Sequence, residues 1–130
     1  MAKGILGVVA GLAVWVVIAA VAGVIMRASW PAYASVASAM TFSLPMMIAR
    51  LSVGALATVA MGFATAVVAR SVIVRLSPGV LLLVLFIPEH LMLWDKFPVW
   101  YHLTFLASLV PLTYAGGKIA EWGKASPVDA

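Results

Sequence analysis

The sequence predicts an all-α membrane protein: a bundle of four transmembrane helices with a short interfacial helix between the first and second. Three observations carry that prediction. Of 130 residues, 65% are hydrophobic and 9% are charged, whereas roughly one quarter of a soluble domain is charged. Four apolar stretches approach or exceed the ~20 residues that cross a hydrocarbon core of ~30 Å. Short segments holding Pro, Gly, Trp and most of the Lys and Arg separate those stretches. A soluble chain this short has no interior large enough to hide so much apolar surface. Residues 1–130 are therefore expected to form a single transmembrane domain.

Residues 4–26 carry no charge and form the first expected span. Lys3 precedes it and Ala32-Tyr33-Ala34 follows, which resembles a secretory signal with a cleavage site. The apolar run is longer than the ~7–15 residues of a signal-peptide core, so an uncleaved first helix is expected. Gly7 and Gly11 form a G-x-x-x-G pair, and Ala19 and Gly23 repeat the spacing. Small residues four apart let helices approach closely in lipid.

The connection after Arg27 holds Trp30, Pro31 and Tyr33. Pro suits the first turn of a helix, whose N–H groups have no partner there. Tyr33, Val36, Ala37 and Met40 then recur at helical spacing, which predicts a short helix lying on the surface. The second span is expected over residues 44–75, with Ser43 as N-cap. Arg50, Gly54, Thr58, Gly62 and Ala66 follow one another four residues apart, so they share a helix face. Gly54, Thr58 and Gly62 open that face to close packing. Arg50 at its end must either snorkel or face a partner inside the bundle.

Pro78-Gly79 reads as a turn, giving a third span over 79–94 with a kink at Pro88. The fourth span is expected over 98–117, bent at Pro111 and stopped by Gly116-Gly117. Lys118, Glu121, Lys124 and Asp129 form a polar tail with Trp122 as an anchor. Four crossings put both termini on one side. That side carries Lys3, Arg70, Arg75, Lys118 and Lys124, so the positive-inside rule predicts N-in and C-in.

Charge, imidazole and aromatic rings concentrate in residues 88–102. His90 and His102 each lie six residues from Lys96, at the centre of the turn, so two helices would bring them to equal depth. Arg50 and Glu89 enter the same layer, as an ion pair or as members of a polar cluster with the histidines. Ionisable groups inside a membrane are functional candidates by default. Two imidazoles and a carboxylate suit a divalent transition metal, with His90, His102 and Glu89 as ligands. Two facing histidines also suit the axial positions of haem. Trp30, Tyr33, Trp94, Trp100 and Tyr101 are expected in an interfacial aromatic belt.

Composition removes several functions. Eight Lys and Arg against four acids give a net charge of +4, but no basic cluster exists to hold nucleic acid. The absence of cysteine excludes disulfides, thiol redox chemistry and thiolate metal sites. No nucleophile elbow, phosphate-binding glycine loop or zinc-protease signature is present, so an enzyme is disfavoured. The first span has no ionisable residue, unlike small multidrug exporters, whose first helix carries an acid.

From residue 97 to residue 120 the chain resembles small bacterial four-helix integral membrane proteins. The resemblance rests on Pro98-Val99-Trp100 before the last helix, Pro111 within it and Gly116-Gly117-Lys118 at its close. It implies a bacterial inner-membrane location and no known activity. The expected function is that of a non-enzymatic membrane protein, an accessory subunit or a self-associating bundle with an interaction site on its outer face. Its partners are the lipid bilayer and either another membrane protein or further copies of itself. The alternative is a metal- or haem-binding or transport protein using His90, His102 and Glu89.

Overall fold

A computed structural model describes residues 1–124; Asp129 of the expected polar tail lies outside them. The described residues are all-helical. Helices α1 (Ala2–Ser29), α3 (Leu44–Val68), α4 (Val72–Met92) and α5 (Val99–Lys124) are joined by the short α2 (Pro31–Val36) and a 3₁₀ turn, Trp94–Lys96. Four of the helices are long and apolar enough to cross a membrane. They alternate in direction, so Gly7 of α1 meets Ala69 beyond the end of α3, and Arg75 of α4 reaches Glu121 of α5. This is the terminal end of the bundle. The 37–43 connection and the 93–98 turn form the opposite, hairpin end.

Helix α3 is the hub, packed most extensively against α5 and α1. Its buried face is Gly54, Ala57, Thr58, Met61, Gly62, Thr65 and Ala66. Glycine is required at these crossings because backbone meets backbone. A Cβ on Gly62 would lie 2.1 Å from the Thr113 carbonyl oxygen, and one on Gly116 would lie 2.0 Å from that of Val59. Helix α1 buries only Gly7 and Gly11, against Thr65, Ala69 and Met61. One polar bond adds to that contact: Trp15 Nε1–H donates to Thr58 Oγ1 at 3.1 Å. Gly23 on the next turns has nothing within 4 Å of its Cβ position. The close packing of α1 thus stops short of the hairpin end.

The break between the second and third spans corrects the sequence reading. It falls at residues 69–71, and Pro78-Gly79 lies inside α4, buried. Ala69 turns extended (φ −106°, ψ 133°). The Arg75 guanidinium folds back and donates from Nε to the Ala69 carbonyl at 2.9 Å. A side chain thus satisfies a helix-end carbonyl that would otherwise lack a partner. Pro78 costs α4 one backbone bond, but Gly79 beside it lets α5 approach: a Cβ there would sit 2.5 Å from Thr113 Oγ1. Gly116-Gly117 likewise do not stop the last helix, which continues to Lys124, because both glycines face α3. The first span also runs further than expected, to Ser29, and the third closes earlier, at Met92.

Candidate functional site at the hairpin end

Arg50 stands nearly two turns into the membrane-spanning α3, on the face that carries Gly54 and Thr58. The expected ion pair with Glu89 does not form. Arg50 donates instead from Nη1 to the Tyr33 hydroxyl at 2.8 Å and from Nε to the Tyr101 hydroxyl at 3.2 Å. Its charge lies over the ring of Phe42, 4.6 Å from the centroid, with Phe97 at 5.8 Å. Glu89 is exposed, because a helical step of about 100° turns it away from the face on which its neighbour His90 is buried. Among the described residues the ion pairs are those of Glu121 with Arg75 and with Lys118, at the terminal end.

Tyr33 and Tyr101, expected in an interfacial belt, point into the bundle and not out from its surface. They are 3% and 5% exposed, buried because their hydroxyls serve Arg50 and their rings stack. Tyr33 stacks on Phe42 with centroids 5.1 Å apart, Phe42 on Phe97 at 5.9 Å, and Phe97 on Tyr101 at 4.2 Å. This column ties the connection after α2 to the start of α5. Met40, the one non-glycine residue with positive φ (57°) among the described residues, closes the turn after α2 ahead of Phe42. Trp94 and Trp100 are exposed, and Trp30 is half-buried over Tyr33.

His90 and His102 come together across α4 and α5, with their Nδ1 atoms 2.7 Å apart. Nε2 of His102 lies 3.2 Å from the Trp94 carbonyl oxygen. A carbonyl only accepts, so His102 carries its hydrogen on Nε2 and, when neutral, offers a bare Nδ1. His90 then donates from Nδ1, which leaves its own Nε2 as a bare acceptor. Rings hold both imidazoles in place: His90 stacks on Phe105 at 4.8 Å and His102 on Trp94 at 4.6 Å.

This geometry does not suit the metal and haem readings. Glu89 bonds neither imidazole, and no group of three His, Asp or Glu side chains converges among the described residues. Two nitrogens on one tetrahedral metal, at ~2.0–2.1 Å each, stand about 3.3 Å apart, and trans across an iron about 4 Å. A separation of 2.7 Å is that of a hydrogen bond.

A cavity of about 230 Å³ opens between these groups. Arg50, Tyr33, Tyr101, His90 and Glu89 form its polar side. Trp15, Ala19 and Gly23 of α1, with Val53, Phe86 and Phe105, form its apolar side. It exists because α1 is held close at Gly7 and Gly11 but not at Gly23. A guanidinium has five N–H donors, of which the tyrosines engage two. Among the described residues, Nη2 of Arg50 and Nε2 of His90 have no protein partner, yet no buried side-chain nitrogen or oxygen is left unsatisfied. Both atoms therefore open on accessible space, and the cavity is the space that both residues border.

Phe42 and the Trp94 carbonyl escape sequence reasoning, since neither residue type nor spacing marks them. The recurrence of Arg50, Gly54 and Thr58 at four-residue spacing does mark the wall from which the cation projects. No family model matches the chain, and no curated protein or solved structure is significantly similar to it.

Proposed function

We propose that the protein is a non-enzymatic, multi-pass membrane protein that works by binding, with the hairpin-end cavity as its interaction site. The observation that carries this reading is the pair of unpartnered polar atoms, Arg50 Nη2 and His90 Nε2, on the wall of a cavity within the apolar bundle. Polar groups in such surroundings are costly unless something completes their hydrogen bonds. An accessory role beside another membrane protein, or assembly with further copies, uses the same end. Exposed Trp94 and Trp100 flank it there, and such rings are favoured at interfaces.

We assign the terminal end to the cytoplasm, giving N-in and C-in, because it carries Lys3, Arg70, Arg75, Lys118 and Lys124. The resemblance to small bacterial membrane proteins supports a bacterial inner membrane. The chain has no cysteine, so single cysteines at Lys3 and Lys96 test the orientation directly. An impermeant thiol reagent applied outside should label only the second.

Native mass spectrometry of protein released in mild detergent tests the binding. The wild type should carry a bound molecule that Gly23→Leu loses, because Gly23 lines the cavity and a Cβ there has open space around it, so a leucine side chain can occupy part of the cavity. Bare wild-type protein, from membranes and after addition of total membrane lipid, would sink the proposal.

A further inference from the structure

The chemistry of the cavity wall narrows what binds, and the inference rests on the binding reading above. Among the described residues, Arg50 is the only cation on the wall, and no carboxylate pairs with it. Its hydrogen-bond partners among the described residues are two tyrosine hydroxyls, and the faces of two rings attract the cation without neutralising it. Glu89, the other charged residue on the wall, forms no ion pair among the described residues. Three guanidinium N–H groups remain, and such a planar fork matches carboxylate or phosphate oxygens. Beside it, the bare Nε2 of a neutral His90 accepts a hydrogen bond and offers none. The opposite wall, Trp15, Ala19, Val53 and Phe86, is apolar and takes methylene groups.

We propose that the cavity holds the headgroup of an anionic amphiphile: an oxyanion on Arg50, a hydroxyl donating to His90 Nε2, and an acyl chain against the apolar wall of α1. The volume supports a headgroup and not a whole lipid. At about 230 Å³ it is far smaller than a two-chain lipid, so the chains extend beyond it among the lipids. A hydroxylated phosphate ester meets all three surfaces. A simple carboxylate meets only Arg50 and the apolar wall. The His90–His102 bond has a role in this arrangement, because it fixes the tautomer that leaves Nε2 bare.

Binding of defined probes to the full-length protein in detergent, read by native mass spectrometry, tests each contact. Phosphatidylglycerol has anion, hydroxyl and chain; phosphatidylmethanol lacks the hydroxyl; monoolein lacks the anion; glycerol 1-phosphate lacks the chain. Phosphatidylglycerol should bind about tenfold or more tightly than monoolein, the difference expected from one charge-assisted hydrogen bond, and about two- to tenfold more tightly than phosphatidylmethanol, the difference expected from a neutral one. Arg50→Gln should reduce it to the level of monoolein. His90→Asn, which keeps an N–H toward His102 but removes Nε2, should reduce it to the level of phosphatidylmethanol. Equal binding of monoolein and phosphatidylglycerol, abolished for both by Gly23→Leu, would overturn the anion while leaving the cavity reading intact. Glycerol 1-phosphate binding as tightly as the lipid would show a free phosphate ester as the ligand and overturn the amphiphile. Binding that Gly23→Leu leaves unchanged for every probe would overturn both readings.

Discussion

His90 and His102 share one hydrogen between their Nδ1 atoms, 2.7 Å apart across α4 and α5. The chain of bonds runs from His90 through His102 to the carbonyl of Trp94, so each neutral ring is confined to one tautomer. Selective ¹⁵N labelling should show His90 protonated on Nδ1 and His102 on Nε2. Rapid averaging between tautomers on both rings would contradict the arrangement. Because His102 is fully buried, His102→Phe strands the Nδ1–H of His90 and should cost about 1–3 kcal/mol of stability.

Arg50 binds two tyrosines from opposite ends of the sequence and stacks on Phe42. Lysine carries the charge but not the fork, so Arg50→Lys should destabilise the protein by about 1.5–3 kcal/mol. Tyr33→Phe removes a single bond and should cost less than Arg50→Lys. The loss should be local, with faster hydrogen exchange across residues 31–42 than in α3. Unfolding in mixed micelles measures the first effect and exchange mass spectrometry the second. Reversing the charges of Arg50 and Glu89 together should rescue nothing, because the two residues do not pair.

The glycines of the bundle should divide into two classes. Gly62→Ala and Gly116→Ala drive a methyl group against carbonyl oxygens about 2 Å away. Each should cost about 1–3 kcal/mol or more as the helices are pushed apart. Gly23→Ala meets nothing within 4 Å and should gain up to about 1 kcal/mol from better helix propensity. Thermal unfolding in one detergent compares all three, and similar losses at every glycine would contradict the tapered packing of α1.

At the terminal end, Arg75 bonds both the Ala69 carbonyl and the Glu121 carboxylate. Arg75→Ala should fray the end of α3, read as faster amide exchange at residues 69–75. Glu121→Gln leaves the bond to Ala69 in place. It should cost less than Arg75→Ala, because the Glu121 side chain is exposed to solvent screening. Equal effects of the two substitutions would remove the capping role of Arg75.

The parts of this fold that are written in composition are the easiest to read. An uncharged run such as residues 4–26 is long and apolar enough to be read as a span from composition alone. Equal depth of His90 and His102 also follows from counting outward from Lys96. Rotation about a helix axis does not follow from counting, which is why Glu89 and Arg50 suggest a pair that the packed helices keep apart. The α3–α4 break fails for another reason. Pro78-Gly79 is a strong local turn signal, but in lipid a helix tolerates proline when a neighbour gains closer contact. The actual break at Ala69 depends on Arg75, a side chain six residues away. Likewise, Tyr33 and Tyr101 match the composition of an interfacial belt. Only their hydroxyl contacts with Arg50 show that they belong to the interior.

The hydrogen bond from Trp15 to Thr58 also sets an order of events during biogenesis. The indole of the first span leaves the ribosome 43 residues before its acceptor. At about 5–20 residues per second, that interval lasts roughly 2 to 9 seconds. Throughout it the N–H has no partner from the helix that will receive it, and Gly7 and Gly11 present an unfilled groove to whatever lies beside them. The first span of this protein must therefore wait, inserted but unassembled, for the third helix of the chain to arrive.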